Sequence, residues 1–220
     1  MTRDLFSPPP DASGRLAPLP GVALFKERLR DKAADMLAAL EPVWMAAPFR
    51  HMQTRGGQAM SAAMTNCGPL GWVTDRKGYR YLPIDPQSGQ PWPAMPEALR
   101  REAVEAAAEA GFPAFDPDAC LINRYAIGAK MGLHQDRDEA DFTAPIVSFS
   151  FGLSATFLLG GDTRGGKTLK FLLEHGDVLV WGGPARLYFH GIAPIKPASS
   201  RLPADAPTDC RINLTFRRAR

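Results

Sequence analysis

Along residues 146–153, Val147, Phe149, Phe151 and Leu153 fall on one side of an extended chain, and Ile146, Ser148, Ser150 and Gly152 fall on the other. Shorter strand-like runs follow at 155–159, 168–173, 177–181, 187–192 and 211–217. Another, 120–125, precedes them, and Gly, Pro and Asp turns separate most of the series. Many short strands in succession predict a sandwich or a double-sheet jelly roll. Two upstream segments carry the 3.6-residue period of a helix instead. In 25–40, Phe25, Leu29, Ala33, Met36, Leu37 and Leu40 share a face; in 96–110, Leu99, Ala103, Ala106, Ala107 and Ala110 do, with Gly111 as a stop. Between the helices, 43–92 mixes Gly and Pro with Trp72, Tyr79, Tyr81 and Trp92 and with Arg50, Arg55, Arg76, Lys77 and Arg80. A stretch of this kind is either a functional lid or an ordinary irregular surface. The expected class is α+β, mainly β. It comprises a loose Pro-rich tail over 1–22, helices and a lid over 23–116, and a β core over 117–220, in one structural domain overall.

Composition narrows the partners. A hydrophobic fraction of 45% in 220 residues is too high for a disordered chain. No apolar run approaches the ~20 residues of a membrane-spanning helix, and the first 20 residues lack the apolar stretch of a secretory signal. Cys67, Cys120 and Cys210 are odd in number and widely spaced, with no Cys-x-x-Cys pair. They form no disulfide framework, and a reducing cytoplasm is the plain expectation. A net charge of +3 permits an anionic partner without requiring one.

Chemistry enters with the last strand. Ile212, Leu214 and Phe216 share one face, and Arg211, Asn213, Thr215 and Arg217 share the other. Alternation alone favours a surface strand with its polar face in water. If that face lines a cavity instead, its two arginines require anions, and the planar fork of arginine suits a carboxylate. A dicarboxylate co-substrate meets that need. His134-x-Asp136 places an imidazole and a carboxylate on one side of an extended backbone, and His190 lies on a late strand. Two His and one carboxylate can form the facial triad of non-haem iron(II) enzymes. Taken alone, His-x-Asp is a weak signal, and the plainer reading of His190 is a hydrogen-bonded core histidine. The triad and the arginine strand reinforce one another, because this iron chemistry uses a dicarboxylate.

The run Leu121-Ile122-Asn123-Arg124-Tyr125, followed by His134-Gln135-Asp136, His190 and Arg211-x-Asn213-x-x-x-Arg217, resembles the AlkB family. So do Met64-Thr65-Asn66-Cys67-Gly68, Pro91-Trp92-Pro93-Ala94-Met95-Pro96 and Leu173-Glu174-His175-Gly176-Asp177; the match runs in order over about 48–217. The resemblance implies a double-stranded β-helix core and oxidative dealkylation of N-alkylated bases such as 1-methyladenine and 3-methylcytosine. Fe(II), O2 and 2-oxoglutarate would be used, and succinate, CO2 and formaldehyde released. It implies His134, Asp136 and His190 as iron ligands and Arg211 as the carboxylate anchor of 2-oxoglutarate, with Asn123, Tyr125, Asn213 and Arg217 supporting. Met64, Trp72, Tyr79, Asp138 and Lys170 would contact substrate, with Tyr79 at the nucleic-acid backbone and Asp138 near the alkylated base. The expected partner is alkylated single-stranded DNA, with duplex DNA and RNA as further substrates, met by a monomer away from any membrane. His175 reads as a turn residue. Three features depart from the family pattern: Ile127 replaces Pro, the loop 160–167 differs in composition, and Lys170 replaces an Arg. The alternatives are a related dioxygenase acting on RNA, protein or a small molecule, and a non-catalytic jelly-roll binding module.

Overall fold

The computed structural model describes residues 15–199 and 201–220. Among these residues the strands in chain order are β1 (Arg15–Leu19), β2 (Val22–Phe25), β3 (Ala63–Cys67), β4 (Gly71–Asp75), β5 (Gly78–Leu82), β6 (Ala119–Ala126), β7 (Met131–His134), β8 (Ile146–Gly152), β9 (Ala155–Leu159), β10 (Leu169–Leu173), β11 (Val178–Trp181), β12 (His190–Ile192) and β13 (Cys210–Arg217). The helices are α1 (Ala33–Ala46) and α2 (Glu97–Glu109). An antiparallel seven-stranded sheet, β1-β2-β11-β8-β13-β6-β3, and a four-stranded sheet, β10-β9-β12-β7, make the jelly roll; β4 and β5 form a separate hairpin.

Alternation in the strands divides the interior in two. Phe149, Phe151, Ile212, Leu214 and Phe216 pack with Leu29, Met36, Leu40, Leu99 and Ala103 in a core between the large sheet and the helices. Leu24, Met64, Leu121, Ile146, Phe157, Leu159 and Trp181 fill a second core on the other face of that sheet. Both faces of β8 and β13 are therefore buried, and the polar face of β13 is a cavity wall. The surface-strand reading suggested by alternation alone fails because a second sheet covers that face.

The first helix differs from expectation at both ends. Residues 22–25 are a strand, and α1 begins only at Ala33, after a 3-10 turn at Arg30–Lys32. Val22, Ala23, Leu24 and Phe25 are buried on both faces, and such a run shows no period of 2 for the sequence to reveal. The helix then continues through Pro42 to Ala46 because Leu40 and Val43 bury their side chains against the sheet. The expected tail also contracts: 15–19 pair with β2 at the sheet edge, while 1–14 lie outside the described residues. Strands β1, β2 and β3 complete the large sheet from ahead of residue 117. The run expected at 187–192 is extended only over His190–Ile192. No helix among the described residues is long and apolar enough to cross a membrane.

Candidate active site

Strands β7 and β12 pair antiparallel with His134 opposite His190, which brings together two imidazoles from distant parts of the chain. The Nδ1 of His134 lies 2.9 Å from the carbonyl oxygen of Gly132, and that of His190 lies 3.0 Å from the carbonyl of Tyr188. A carbonyl only accepts, so each Nδ1 donates, and in the neutral ring Nε2 is the nitrogen left to ligate. Both Nε2 atoms face Oδ1 of Asp136, at 3.5 and 3.8 Å. The three donors lie within 4.8 Å of one another, in a set that could hold a metal ion. Burial, with His134 alongside, lowers the His190 imidazole to about 4, so it is neutral and able to ligate at neutral pH. Arg217 donates from Nε and Nη2 to Oδ2 of Asp136, at 2.8 and 2.7 Å. Burial opposes ionisation of Asp136, but Arg217 and the two histidines outweigh it and hold the carboxyl below its usual range.

The floor of the same cavity is cationic. Arg211 is fully buried. Its Nη2 donates to Ser150 Oγ at 2.8 Å and its Nη1 makes a long contact of 3.4 Å to the Leu153 carbonyl, while Nε has no partner. No carboxylate among the described residues pairs with it, and burial lowers it to about 10. An unpaired guanidinium inside a protein is costly, so the site is built for an anion supplied from outside. Asn213 donates to Ser148 Oγ and the Phe149 carbonyl, at 2.8 and 2.9 Å. Tyr125 is buried, its phenol pushed up to about 12 chiefly by that burial, and Asn123 has an unpartnered Oδ1. Sequence reasoning missed Ser148 and Ser150 as site residues. Their signal was present, as two hydroxyls on the face of β8 opposite its phenylalanines.

The hairpin β4–β5 covers the mouth. Trp72 and Tyr79 stack with ring centroids 5.5 Å apart and planes 13° apart. Trp72 Nε1 donates to Asp138 Oδ2 at 2.9 Å. Asp138 has its carboxyl raised first by burial, and further by Glu139 and Asp136, against that hydrogen bond. The hairpin is seated by Asn66, whose side chain bonds both the N–H and the carbonyl of Trp72 at 2.9 and 3.0 Å. It is also seated by Gly71, where an added Cβ would fall 2.3 Å from the ring of Trp92. A cavity of about 290 Å³ takes in the triad, Arg211, Arg217, Asn123, Tyr125, Asn213, Met64, Trp72, Tyr79 and Asp138. Lys170 is the exception: it is exposed on the outer strand β10, away from the cavity wall. His175 lies in the turn before β11, outside the triad, with Nδ1 accepting from the Gly152 N–H at 3.1 Å.

Two imidazoles and a carboxylate converge beside a buried guanidinium that has no carboxylate partner among the described residues. This donor set fits iron(II) together with a chelating dicarboxylate, and it defines a non-haem iron oxygenase. The sequence profile of the 2OG-Fe(II) oxygenase superfamily matches residues 21–217, and the chain is an Fe(II)- and 2-oxoglutarate-dependent dioxygenase. Within that class it belongs to the AlkB family. It is 52% identical over 217 residues to the alpha-ketoglutarate-dependent dioxygenase AlkB of Escherichia coli K12, covering 98% of this chain and 97% of that one. It is 43% identical over 126 residues to the DNA N(6)-methyladenine demethylase ALKBH1D of Arabidopsis thaliana, covering 54% of this chain and 28% of the relative. The solved structure of OsALKBH1 superposes with a TM-score of 0.74 at 32% identity, over 90% of this chain and 97% of that chain.

Proposed function

We propose that this enzyme removes N-linked alkyl groups from bases in DNA by oxidative dealkylation, with 1-methyladenine and 3-methylcytosine as typical substrates and RNA as a further one. The observation that carries this reading is the lid. An aromatic stack and the carboxylate of Asp138 line the same cavity as the His134, Asp136 and His190 triad, where they could receive a flat, positively charged ring. The relative named as a DNA N(6)-methyladenine demethylase supports methylated DNA as the substrate class.

In this account His134, Asp136 and His190 hold the iron. Arg211 anchors the far carboxylate of 2-oxoglutarate, with Asn123, Tyr125 and Asn213 lining its path. Bound iron, 2-oxoglutarate and O2 supply the oxidation that hydroxylates the alkyl carbon, which leaves as formaldehyde while succinate and CO2 are released. Arg217 keeps Asp136 ionised and fixed. Met64 forms an apolar wall, Trp72 and His134 offer ring faces to the base, and Asp138 offers negative charge. Tyr79 and Lys170 contact the nucleic-acid backbone from outside. The target nitrogen lies on the base-pairing edge, so the base must be single-stranded or flipped out. Single strands are therefore the preferred substrate, acted on by a monomer in the cytoplasm.

The test is to incubate matched methylated oligonucleotides, as single-stranded DNA, duplex DNA and RNA, with enzyme, Fe(II), 2-oxoglutarate and air, and to follow loss of the methyl mass. Demethylation fastest on single-stranded DNA is expected. No loss from any of the three, with 2-oxoglutarate still consumed, would move the substrate to another class.

A further inference from the structure

From the triad, four side chains of alternating charge run into the interior: Asp136, Arg217, Glu139 and Arg186, the last two with no role assigned above. Glu139 is buried, and both of its oxygens are engaged. Oε1 accepts from the Tyr81 hydroxyl at 2.6 Å and lies 3.4 Å from Arg217 Nε, and Oε2 accepts from Arg186 Nη2 at 3.1 Å. Arg186 is also buried, and its three nitrogens reach three acceptors. Nε donates to the Ala144 carbonyl at 3.0 Å and Nη1 to the backbone carbonyl of Asp136 at 3.0 Å, with Nη2 on Glu139. The ring of Phe142 covers its guanidinium, 5.4 Å away.

The position of Arg186 in the chain gives this arrangement its meaning. It closes the 3-10 turn Gly183–Ala185, just ahead of His190. It thereby joins the segment that delivers one histidine to the loop that begins at the carboxylate ligand. Gln135 adds a second tie by donating to the Leu187 carbonyl. Tyr81 extends the chain of contacts into the lid. It is the cross-strand partner of Trp72, so the hairpin grips two adjacent carboxylates, Asp138 through Trp72 and Glu139 through Tyr81.

We propose that Arg186 and Glu139 are positioning residues of the iron centre, which clasp the loop after Asp136 to the segment before His190 and hold Arg217 on Oδ2 so that Oδ1 alone faces the two histidines, and that Tyr81 fastens the lid to this clasp. The alternative, a buried ion pair with no bearing on the metal, would alter stability only. A buried carboxylate is costly unless several donors compensate it. Tyr81, Arg186 and Arg217 all do so here, and partners that orient ligands in this way affect metal affinity by about 10–100-fold.

The proposal rests on His134, Asp136 and His190 being the metal ligands. The test is titration of the full chain with Co(II) in the presence of 2-oxoglutarate and the absence of oxygen, following the visible ligand-field bands, with thermal melting in parallel. Glu139→Gln and Arg186→Lys are expected to weaken Co(II) binding about tenfold or more and to shift the bands. Tyr81→Phe, which removes one hydroxyl, is expected to weaken binding in the same direction by a smaller factor. Wild-type affinity and bands in folded Glu139→Gln, with only a lower melting temperature, overturn the proposal. If that variant does not fold, wild-type affinity in Tyr81→Phe overturns it. A His134→Ala arm separates the two levels: unchanged Co(II) binding there refutes the ligand assignment itself, whereas lost binding there beside unchanged binding in Glu139→Gln refutes only the clasp.

Discussion

At the scale of the residue, the site is governed by where charge is left unbalanced. Arg217 has Asp136 as its partner, and Arg211 has no carboxylate partner among the described residues. Arg211→Ala should therefore raise the 2-oxoglutarate requirement sharply, since a buried carboxylate that loses its partner costs about 2–5 kcal/mol, on the order of thirtyfold or more in affinity. Arg211→Lys should fall between, because lysine keeps the charge and loses the planar fork. Succinate formation against 2-oxoglutarate concentration measures this, and an unchanged curve for Arg211→Ala would remove the residue from the site. Asp138 poses a finer question, because it is tied to Trp72 as well as charged. If it reads charge, Asp138→Ala should lower kcat/KM for cationic 1-methyladenine and 3-methylcytosine more than for neutral 1-methylguanine and 3-methylthymine. Trp72→Phe removes the hydrogen bond while leaving the carboxylate, so it should preserve that preference. Equal losses on both lesion types in Asp138→Ala would mean that Asp138 only shapes the loop.

At the scale of the element, the hairpin β4–β5 divides its residues between anchorage and contact. Arg80 is held by Asp75 through two hydrogen bonds at 2.8 and 3.0 Å, so it stiffens the hairpin. Lys77 is exposed beside Tyr79, which is 46% exposed. Lys77→Ala should weaken oligonucleotide binding and flatten its dependence on salt by about one released counterion, while 2-oxoglutarate turnover without nucleic acid stays as it was. A salt slope identical to that of the unaltered enzyme would show that Lys77 meets no phosphate. The turn before β11 carries a different consequence. Burial lowers the His175 imidazole from its ordinary 6.5, more than Asp205 raises it. The unfolded chain therefore takes up a proton at higher pH than the folded one does, and stability falls as pH drops from about 6.5 toward the folded value. His175→Asn should make the melting temperature less steep in pH over that window. An equal slope in both proteins would mean that other groups set it.

At the scale of the whole molecule, the sequence disclosed the chemistry more readily than the frame. Strands β8 and β13 and helix α2 were legible because each has a face whose period matches its geometry, and β6, β9, β10 and β11 were legible as short apolar runs most of which are bounded by Gly, Pro or Asp turns. Strand β2 was not, since Val22–Phe25 is buried on both sides and shows no alternation. The triad and Arg211 were legible as residue types at suggestive spacing joined to a family resemblance. Alternation alone gave the opposite answer for β13, because what covers its polar face is a sheet assembled from distant segments. Glu139 and Arg186 were missed for a related reason. Within the chain one is a member of an acidic loop and the other a lone arginine after a turn, and only the fold places them 3.1 Å apart behind the metal ligands.

The central claim is that iron oxidation in the jelly roll and base recognition by the lid form one reaction, and stoichiometry tests it most directly. Enzyme with Fe(II), limiting 2-oxoglutarate and air should be given a 1-methyladenine oligonucleotide, and succinate, formaldehyde and repaired base counted together. The account predicts one of each per turnover, and none in His190→Ala. Succinate formed at the same rate with the methylated oligonucleotide, the unmethylated one and no oligonucleotide, with no formaldehyde released, would contradict it.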